Sequence, residues 1–210
     1  MVHGDDQGLI LPPRLAPYQV VIVPIFKTDE EKILVIEAAK RIREQLVKAE
    51  IRVKLDEREG QSPGFKFNDW EMRGVPLRME VGPKDVAKGT VVLARRDKPG
   101  REGKAFVSQD GIATSVQTLL AEIQKALFDR ALAFREAHTL EPKNFDEFRQ
   151  AVETGFAKSF WCGDSKCEEQ IKEATKATLR CIPLEQPGGT GICILCNKPS
   201  REIAIFGKAY

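Results

Sequence analysis

The chain has 210 residues, of which 42% are hydrophobic, so it is long enough for one large domain or two small domains with a buried core. Its 33 basic and 31 acidic residues leave a net charge of only +2, which excludes a protein that binds nucleic acid through a global positive field. No apolar run approaches the roughly 20 residues of a membrane span, and the N-terminus lacks the basic and apolar regions of a signal peptide, so we expect a cytoplasmic protein without a membrane partner.

The first predicted elements form a strand, helix, strand pattern. The nearly unbroken apolar run of residues 18–26 predicts a strand buried on both faces, and therefore a sheet covered by helices. The next segment begins with Thr28 and Asp29, two candidate N-caps, and predicts an amphipathic helix. The predicted buried stripe of this helix is Ile33, Ile36, Ala39, Ile42 and Leu46. Alternating apolar and polar residues from Ile51 onward predict a second strand, which completes a βαβ unit.

The following segments predict further strands and helices. A short helix should end at Gly74 and lead into a strand at PLRMEVG, and the strands TVVLARRD and KAFVS should flank a polar turn. A long amphipathic helix is predicted from Ser115 to about His138. After it, the pattern predicts the helices NFDEFRQAVETG and CEEQIKEATKAT and a terminal strand at REIAIFGKAY.

Four of the five cysteines form two close pairs. Four residues separate Cys162 from Cys167, and two residues separate Cys193 from Cys196. Two short loops of this kind can direct four thiolates at one tetrahedral ion, so the spacing indicates a structural Zn²⁺ site without an open coordination position. The fifth cysteine, Cys181, lies between apolar residues and is predicted to be a buried core thiol. The alternatives are four scattered core cysteines, or a redox role for the CILC motif, although no helix pattern follows that motif as it does in thioredoxin-like proteins.

Three strings carry a resemblance to a known family. HGDDQGLILPPRLAPYQVVIVPI, SPGFKFNDWEMRGVPLRMEVGPKD and the cysteine segments that lead to FGKAY resemble prolyl-tRNA synthetases of the archaeal and eukaryotic-like type. The resemblance implies the C-terminal part of such an enzyme. Residues 1–16 would be a remnant of the class II catalytic domain (motif 3), 17–122 an anticodon-binding domain, 123–141 a connecting helix and 142–210 a zinc-binding domain. The implied fold class is α/β, with a mixed five-stranded sheet and flanking helices followed by a small α+β domain.

The resemblance also implies an activity for the full-length enzyme. That enzyme would be a homodimer that attaches proline to tRNA(Pro) in two ATP-dependent steps through prolyl-adenylate, with ATP and Mg²⁺ bound in its catalytic domain. The present chain would bind the tRNA anticodon and contact that catalytic domain. Alone it would be inactive, because class II motifs 1 and 2 are absent from it. The alternative is a stand-alone tRNA-binding or regulatory module without aminoacylation activity.

Residue matching to the family implies several site residues. Arg14 matches the motif 3 arginine that contacts the ATP phosphates, a role that requires the absent catalytic domain. Glu71 would accept hydrogen bonds from the Watson–Crick edge of a guanine, and Arg78 would contact a base or phosphate from the neighbouring strand. Lys104, or Arg101 as second choice, would supply a further anticodon contact from a loop.

Aromatic and basic residues surround these positions. Phe67 and Trp70 either offer stacking surface for bases or belong to the core. Residues 84–104 contain seven basic and three acidic side chains, a local charge of +4 that exceeds the +2 of the whole chain. Such a patch would attract a phosphate backbone, and its alternative is a solvated hairpin.

Overall fold

The computed structural model describes residues 3–186 and 188–209. The chain divides into two compact units, one up to Ala131 and the other from Leu132 onward. The predicted domain boundaries at residues 17, 123 and 142 stay predictions. Within the described ranges, no helix is both long and apolar enough to cross a membrane.

The first unit is built around a mixed five-stranded sheet. The strands of the first unit are β1 (Gly4–Asp5), β2 (Gly8–Leu9), β3 (Val20–Pro24), β4 (Val53–Leu55), β5 (Leu77–Val81), β6 (Thr90–Arg95) and β7 (Lys104–Ser108), of which the last five form the sheet. Its helices are α1 (Asp29–Lys48), α2 (Pro63–Met72) and α3 (Pro83–Lys88), with a 3-10 turn at Arg101–Gly103. Helix α4 (Ile112–Ala137) begins in this unit, and its residues 132–137 belong to the second unit. The sheet order is β4, β3, β5, β6, β7, parallel from β4 to β5 and antiparallel from β5 to β7. The predicted fold class and βαβ unit are confirmed.

Helix α1 starts where the sequence predicts and buries three of the five residues of its predicted stripe. The Thr28 hydroxyl accepts a hydrogen bond of 3.2 Å from the backbone N–H of Glu31, which confirms the N-cap. Ile33, however, is 68% exposed, and Val35 is buried in its place. Ala39, Ile42 and Leu46 of the predicted stripe are buried, but the inclusion of Ile33 was wrong because steps of three residues drift around a helix. Ile33 and Ile42 lie nine residues apart, which at about 100° per residue places them on opposite sides.

The two faces of the sheet are covered unequally. One face packs on α1 and α4 and forms the main core, and β3 is buried along its whole length as predicted. The other face packs on α2 through a smaller apolar group, Val21, Val23, Trp70 and Val75. Strand β7 lies at the edge of the sheet, and four of its five residues are exposed. The β7 end of this second face is therefore open.

The N-terminal segment belongs to the first compact unit. Strands β1 and β2 pair as a hairpin, and Ile10 lies in the main core. Gly8 has a φ of +126° and packs so closely that an added Cβ would lie 2.6 Å from the Cα of Met72. Whatever its origin, this segment is packed into the same unit as the sheet.

The second unit is a small α+β domain. Its strands are β8 (Thr139–Leu140), β9 (Phe156–Phe160), β10 (Ala177–Cys181), β11 (Gly191–Ile192), β12 (Pro199–Ser200) and β13 (Ile203–Lys208). Its helices are α5 (Phe145–Thr154) and α6 (Ser165–Thr175). Four strands form a sheet in the order β10, β13, β9, β8, and β11 pairs with β12. The core of this unit centres on Phe148, Ile171 and Phe206.

One cysteine does not lie where the sequence predicts. Cys181 is exposed at the end of β10, beside an irregularity in the pairing with β13. The prediction of a buried core thiol was therefore wrong. Its apolar neighbour Ile182 is also 42% exposed, so an apolar context in sequence did not indicate burial at this strand end.

Candidate nucleic-acid interface and metal centre

Charged side chains from three elements meet on the open face of the five-stranded sheet. Glu71 lies near the end of α2, and Lys104 begins β7. Arg78 and Glu80 lie two residues apart on β5, so their side chains point to the same face. The turn between α2 and β5 passes through Gly74, whose φ of 74° is one that glycine adopts readily.

These four side chains form one network of alternating charge. Arg78 donates hydrogen bonds to Glu71 and, at 3.0 Å, to Glu80. The Lys104 ammonium donates to the same Glu80 oxygen at 3.0 Å. Glu80 therefore lies between two cations, and each cation is held by a carboxylate. Sequence matching missed Glu80, although its period-two spacing from Arg78 on a strand is a signal that could have found it.

The predicted anticodon residues line a single cavity. Glu71, Arg78 and Lys104 border a cavity of about 230 Å³, together with Gln7, Arg95 and Arg96. The second-choice residue, Arg101, is exposed and is not part of this lining. The structure thus brings together three residues that are far apart in sequence, and their role in recognition stays a prediction.

The two aromatic residues of α2 have different environments. Trp70 is 5% exposed, packs with the small apolar group on β3, and donates its indole N–H to Asp56 at 2.8 Å. It is a core residue. Phe67 is half-buried, and the guanidinium carbon of Arg78 lies 4.0 Å from the centroid of its ring. Phe67 therefore supports the Arg78 guanidinium by a cation–π contact.

The basic segment is less available to a ligand than its composition indicates. Arg95 donates to Asp97 at 2.8 Å and to Glu122 at 3.1 Å. Arg96 is buried and forms two hydrogen bonds to Asp5, at 2.6 and 2.8 Å. The exposed cations of the segment are Lys84, Lys88, Lys98, Arg101 and Lys104. The local charge of +4 thus overstates the surface potential, because two arginines are held in internal ion pairs.

Arg14 lies at a different groove of the same unit. Its side chain is exposed, and its backbone N–H donates to Gln124 at 3.1 Å. It borders a groove of about 530 Å³ with Lys125 and Phe128, which shares no lining residue with the cavity of Glu71. A phosphate-contacting role for Arg14 stays a prediction.

In the second unit, local structure positions the four paired cysteines. Cys162 precedes α6 and Cys167 lies in its first turn, which Asp164 caps by accepting from the Lys166 N–H at 2.9 Å. Cys193 and Cys196 lie in the turn between β11 and β12. Hydrogen bonds of 2.8 Å (Cys193 N–H to the Lys198 carbonyl) and 3.1 Å (Asn197 N–H to the Cys193 carbonyl) close that turn.

The four sulfur atoms form a compact cluster that fits a metal ion. All four lie within 4.8 Å of one another, and those of Cys162 and Cys196 are 3.7 Å apart. A tetrahedral ion with metal–sulfur bonds of about 2.3 Å requires sulfur atoms about 3.8 Å apart. The predicted cluster is therefore present, and it can hold a metal ion with four protein ligands. Such an ion would have no position for a substrate.

The thiols of the cluster differ in acidity. Burial raises the pKa of Cys167 and Cys162, whereas a hydrogen bond from the backbone N–H of Lys198 lowers the pKa of Cys196 to about 7. Because burial favours the neutral thiol, the thiolates of Cys167 and Cys162 would need a cation to stabilise them.

Two family models match the two parts of the chain. The model described as "Anticodon binding domain" matches residues 19–126, and the model described as "Prolyl-tRNA synthetase, C-terminal" matches residues 145–210. The chain belongs to the anticodon-binding domain family. The chain also matches the C-terminal domain of prolyl-tRNA synthetases, so the resemblance predicted from the sequence is confirmed.

The chain is similar to named relatives along its whole length. It is 54% identical to the proline–tRNA ligase of Chloroflexus aurantiacus over 210 residues, which are 100% of this chain and 44% of that relative. It is 46% identical to the chloroplastic/mitochondrial proline–tRNA ligase of Arabidopsis thaliana over 218 aligned residues, covering 100% of this chain and 39% of that relative. The chain thus spans less than half the length of the relatives it matches.

Proposed function

We propose that this chain is the C-terminal portion of a proline–tRNA ligase and that its first unit binds the anticodon of proline tRNA. The observation that carries the proposal is the convergence of Glu71, Arg78 and Lys104 at one cavity on an open sheet face. These residues come from a helix and two strands, and family resemblance selected them independently of their position in space.

The chemistry of the cavity suits a guanine. A guanine presents the N1 and N2 donors on its Watson–Crick edge and the O6 and N7 acceptors on its other edges. Glu71 can accept from the donors, while Arg78 and Lys104 can donate to the acceptors. Proline anticodons carry two guanines after the first position. Because Glu80 already holds both cations in place, binding a base would require little reorganisation of the site.

The remaining activity is assigned to the part of the enzyme outside this chain. There, ATP and Mg²⁺ would support prolyl-adenylate formation and transfer of proline to tRNA, in a homodimer, and this chain would contribute Arg14 as a contact to the ATP phosphates. Alone, the chain is expected to be inactive. Similarity to proline–tRNA ligases over the whole chain favours this proposal over a stand-alone regulatory module.

We assign Zn²⁺ to the four-cysteine cluster, with a structural role. The ion would join the start of α6 to the turn between β11 and β12, two segments that the chain separates widely. Four thiolates carry a total charge of −4, which exceeds the +2 of the ion. They also fill its four tetrahedral coordination positions, so no position is left for catalysis. The reduced thiols that such a site needs fit the cytoplasm.

A binding comparison tests the anticodon proposal. Proline tRNA transcripts with the natural anticodon and with both anticodon guanines replaced are titrated with the chain at low and moderate salt. We expect tighter binding of the natural anticodon, and Glu71→Ala should reduce this discrimination by about 5- to 150-fold, which corresponds to roughly 1–3 kcal/mol for a good base contact. Glu44→Ala, an exposed residue on α1, is the matched control and should leave discrimination unchanged. Equal binding of both transcripts at both salt concentrations would reject the proposal.

A further inference from the structure

The open sheet face carries a regular arrangement of side chains around the cavity. The strand register aligns one row of residues across β3, β5, β6 and β7, consisting of Val21, Arg78, Ala94 and Lys104. The next row consists of Val23, Glu80, Val92 and Phe106. Because alternate residues of a strand point to the same face, Phe106 lies on the face of the candidate interface, one row away from Lys104.

Phe106 is unusually exposed for an aromatic residue in a sheet. Its exposed fraction is 78%, whereas its cross-strand neighbour Val92 is only 8% exposed. Helix α2 covers the β3 side of this face through Trp70 and does not bury Phe106. A phenyl ring exposed to water on the same strand as Lys104, which borders the cavity, provides a flat apolar surface.

The charges around Phe106 favour a nucleic acid as the molecule that covers it. Lys104 lies two residues away on β7, and the exposed Lys98 and Arg101 lie in the turn that leads into that strand. Cations beside an exposed aromatic ring are the combination that binds single-stranded RNA, in which cations hold the phosphates and the ring stacks on a base.

We propose that Phe106 is a stacking platform for an unpaired base of the bound RNA loop, adjacent to the base held in the cavity of Glu71, Arg78 and Lys104. The proposal rests on the proposed function, since it requires an RNA loop at this face. Lys104 and Phe106 are separated by about 7 Å along the strand, so the same strand would contact two neighbouring nucleotides. Stacking tolerates different bases, so Phe106 would contribute affinity for the loop while the charged network discriminates its sequence.

The test uses the full chain and an RNA hairpin that carries the proline anticodon loop. Phe106→Ala should weaken binding by about 5- to 100-fold, and Phe106→Trp should restore it, because a larger ring still stacks. Phe128→Ala is the control, since Phe128 is 63% exposed on α4 and lies outside this face. A hairpin with 2-aminopurine beside the anticodon guanines should show fluorescence quenching with the natural chain and with Phe106→Trp, but not with Phe106→Ala.

Abasic substitutions identify the stacked base. At the position that stacks on Phe106, removal of the base should abolish the effect of Phe106→Ala, and at other loop positions the effect should persist. An unchanged affinity and unchanged quenching in Phe106→Ala would overturn the proposal. A change in the sedimentation mass of Phe106→Ala with unchanged RNA affinity would also overturn it and assign the ring to contact with a second copy. If the natural chain does not distinguish the proline loop from one without guanines, the proposed function fails instead.

Discussion

The indole N–H of Trp70 donates a hydrogen bond of 2.8 Å to the carboxylate of Asp56. Asp56 is 1% exposed and follows β4, while Trp70 lies on α2 one residue before Glu71. This bond ties the helix that carries Glu71 to the sheet. Asp56 also accepts from Arg58 at 2.7 Å, and the Lys66 ammonium donates to its backbone carbonyl at 3.2 Å.

Replacement of Asp56 should destabilise the first unit. In Asp56→Asn the volume is kept, but the buried Lys66 loses its counter-charge and the Arg58 guanidinium keeps only its ion pair with Asp69. We expect a loss of about 3–5 kcal/mol in the free energy of unfolding, the range for a broken buried ion pair. Denaturant unfolding measures it, and Asp6→Asn, an exposed aspartate, is the control. Equal stability of Asp56→Asn and the natural chain would contradict the assignment.

Because of the same carboxylate, we expect the free energy of unfolding to depend on pH. Burial acts to raise the pKa of Asp56, but hydrogen bonds from Arg58 and Trp70 outweigh it and lower the pKa from 3.8 to about 2. A depressed folded-state pKa stabilises the fold above the unfolded value and loses that effect as the pH falls toward the folded value. The difference in stability between the natural chain and Asp56→Asn should therefore shrink from about pH 4 to pH 2. A difference that stays constant over this window would contradict the prediction.

Glu80→Gln should change how the first unit binds RNA. The carboxylate of Glu80 holds Arg78 and Lys104, so its neutralisation frees Lys104 to contact phosphates and leaves Arg78 held by Glu71 alone. We expect stronger binding to RNA of any sequence, weaker discrimination of the anticodon, and a steeper salt dependence. Each new phosphate contact adds about 0.7 to the slope of log affinity against log salt concentration for single strands. Titrations at several salt concentrations measure it.

A matched substitution distinguishes the effect of the Glu80 ion-pair network on RNA binding from the effect of net charge. Glu44→Gln makes the same change in net charge on α1 and should leave the slope and the discrimination as they are. If both variants change the slope equally, the effect comes from net charge and the role of Glu80 is refuted.

Removal of one paired cysteine should release the metal. Cys193→Ser should lose about one bound Zn²⁺ per chain and destabilise the second unit, because the folding of such a domain is coupled to metal binding. Cys181→Ser should change neither, since Cys181 is exposed and outside the cluster. Metal analysis and thermal unfolding measure the two effects. In the natural chain, a chelator should make four thiols accessible together. A purified natural chain that contains no zinc would contradict the assignment.

Elements with a strong local pattern were predictable from the sequence. The apolar run of β3, the capped start of α1 and the long α4 follow from residue order over a few turns or strand repeats. The prediction missed α3 (Pro83–Lys88), because a six-residue helix offers too few turns for a periodic pattern. The predicted buried stripe of α1 was wrong at Ile33, because residues spaced three apart do not stay on the same face of a helix.

The sequence by itself determined the family, the order of most elements and the set of four clustered cysteines. These depend on residue identity and on spacing along the chain, which a sequence contains directly. Only the tertiary structure decided which charged side chains are available to bind a ligand and which are held in internal ion pairs. Arg96 is paired with Asp5, which lies 91 residues away, and Glu80 joins Arg78 to Lys104 across three strands. Only the structure, too, distinguishes the buried Trp70 from the exposed Phe106. The physical reason is that ion pairing and solvent exposure depend on which strands and helices become neighbours in space.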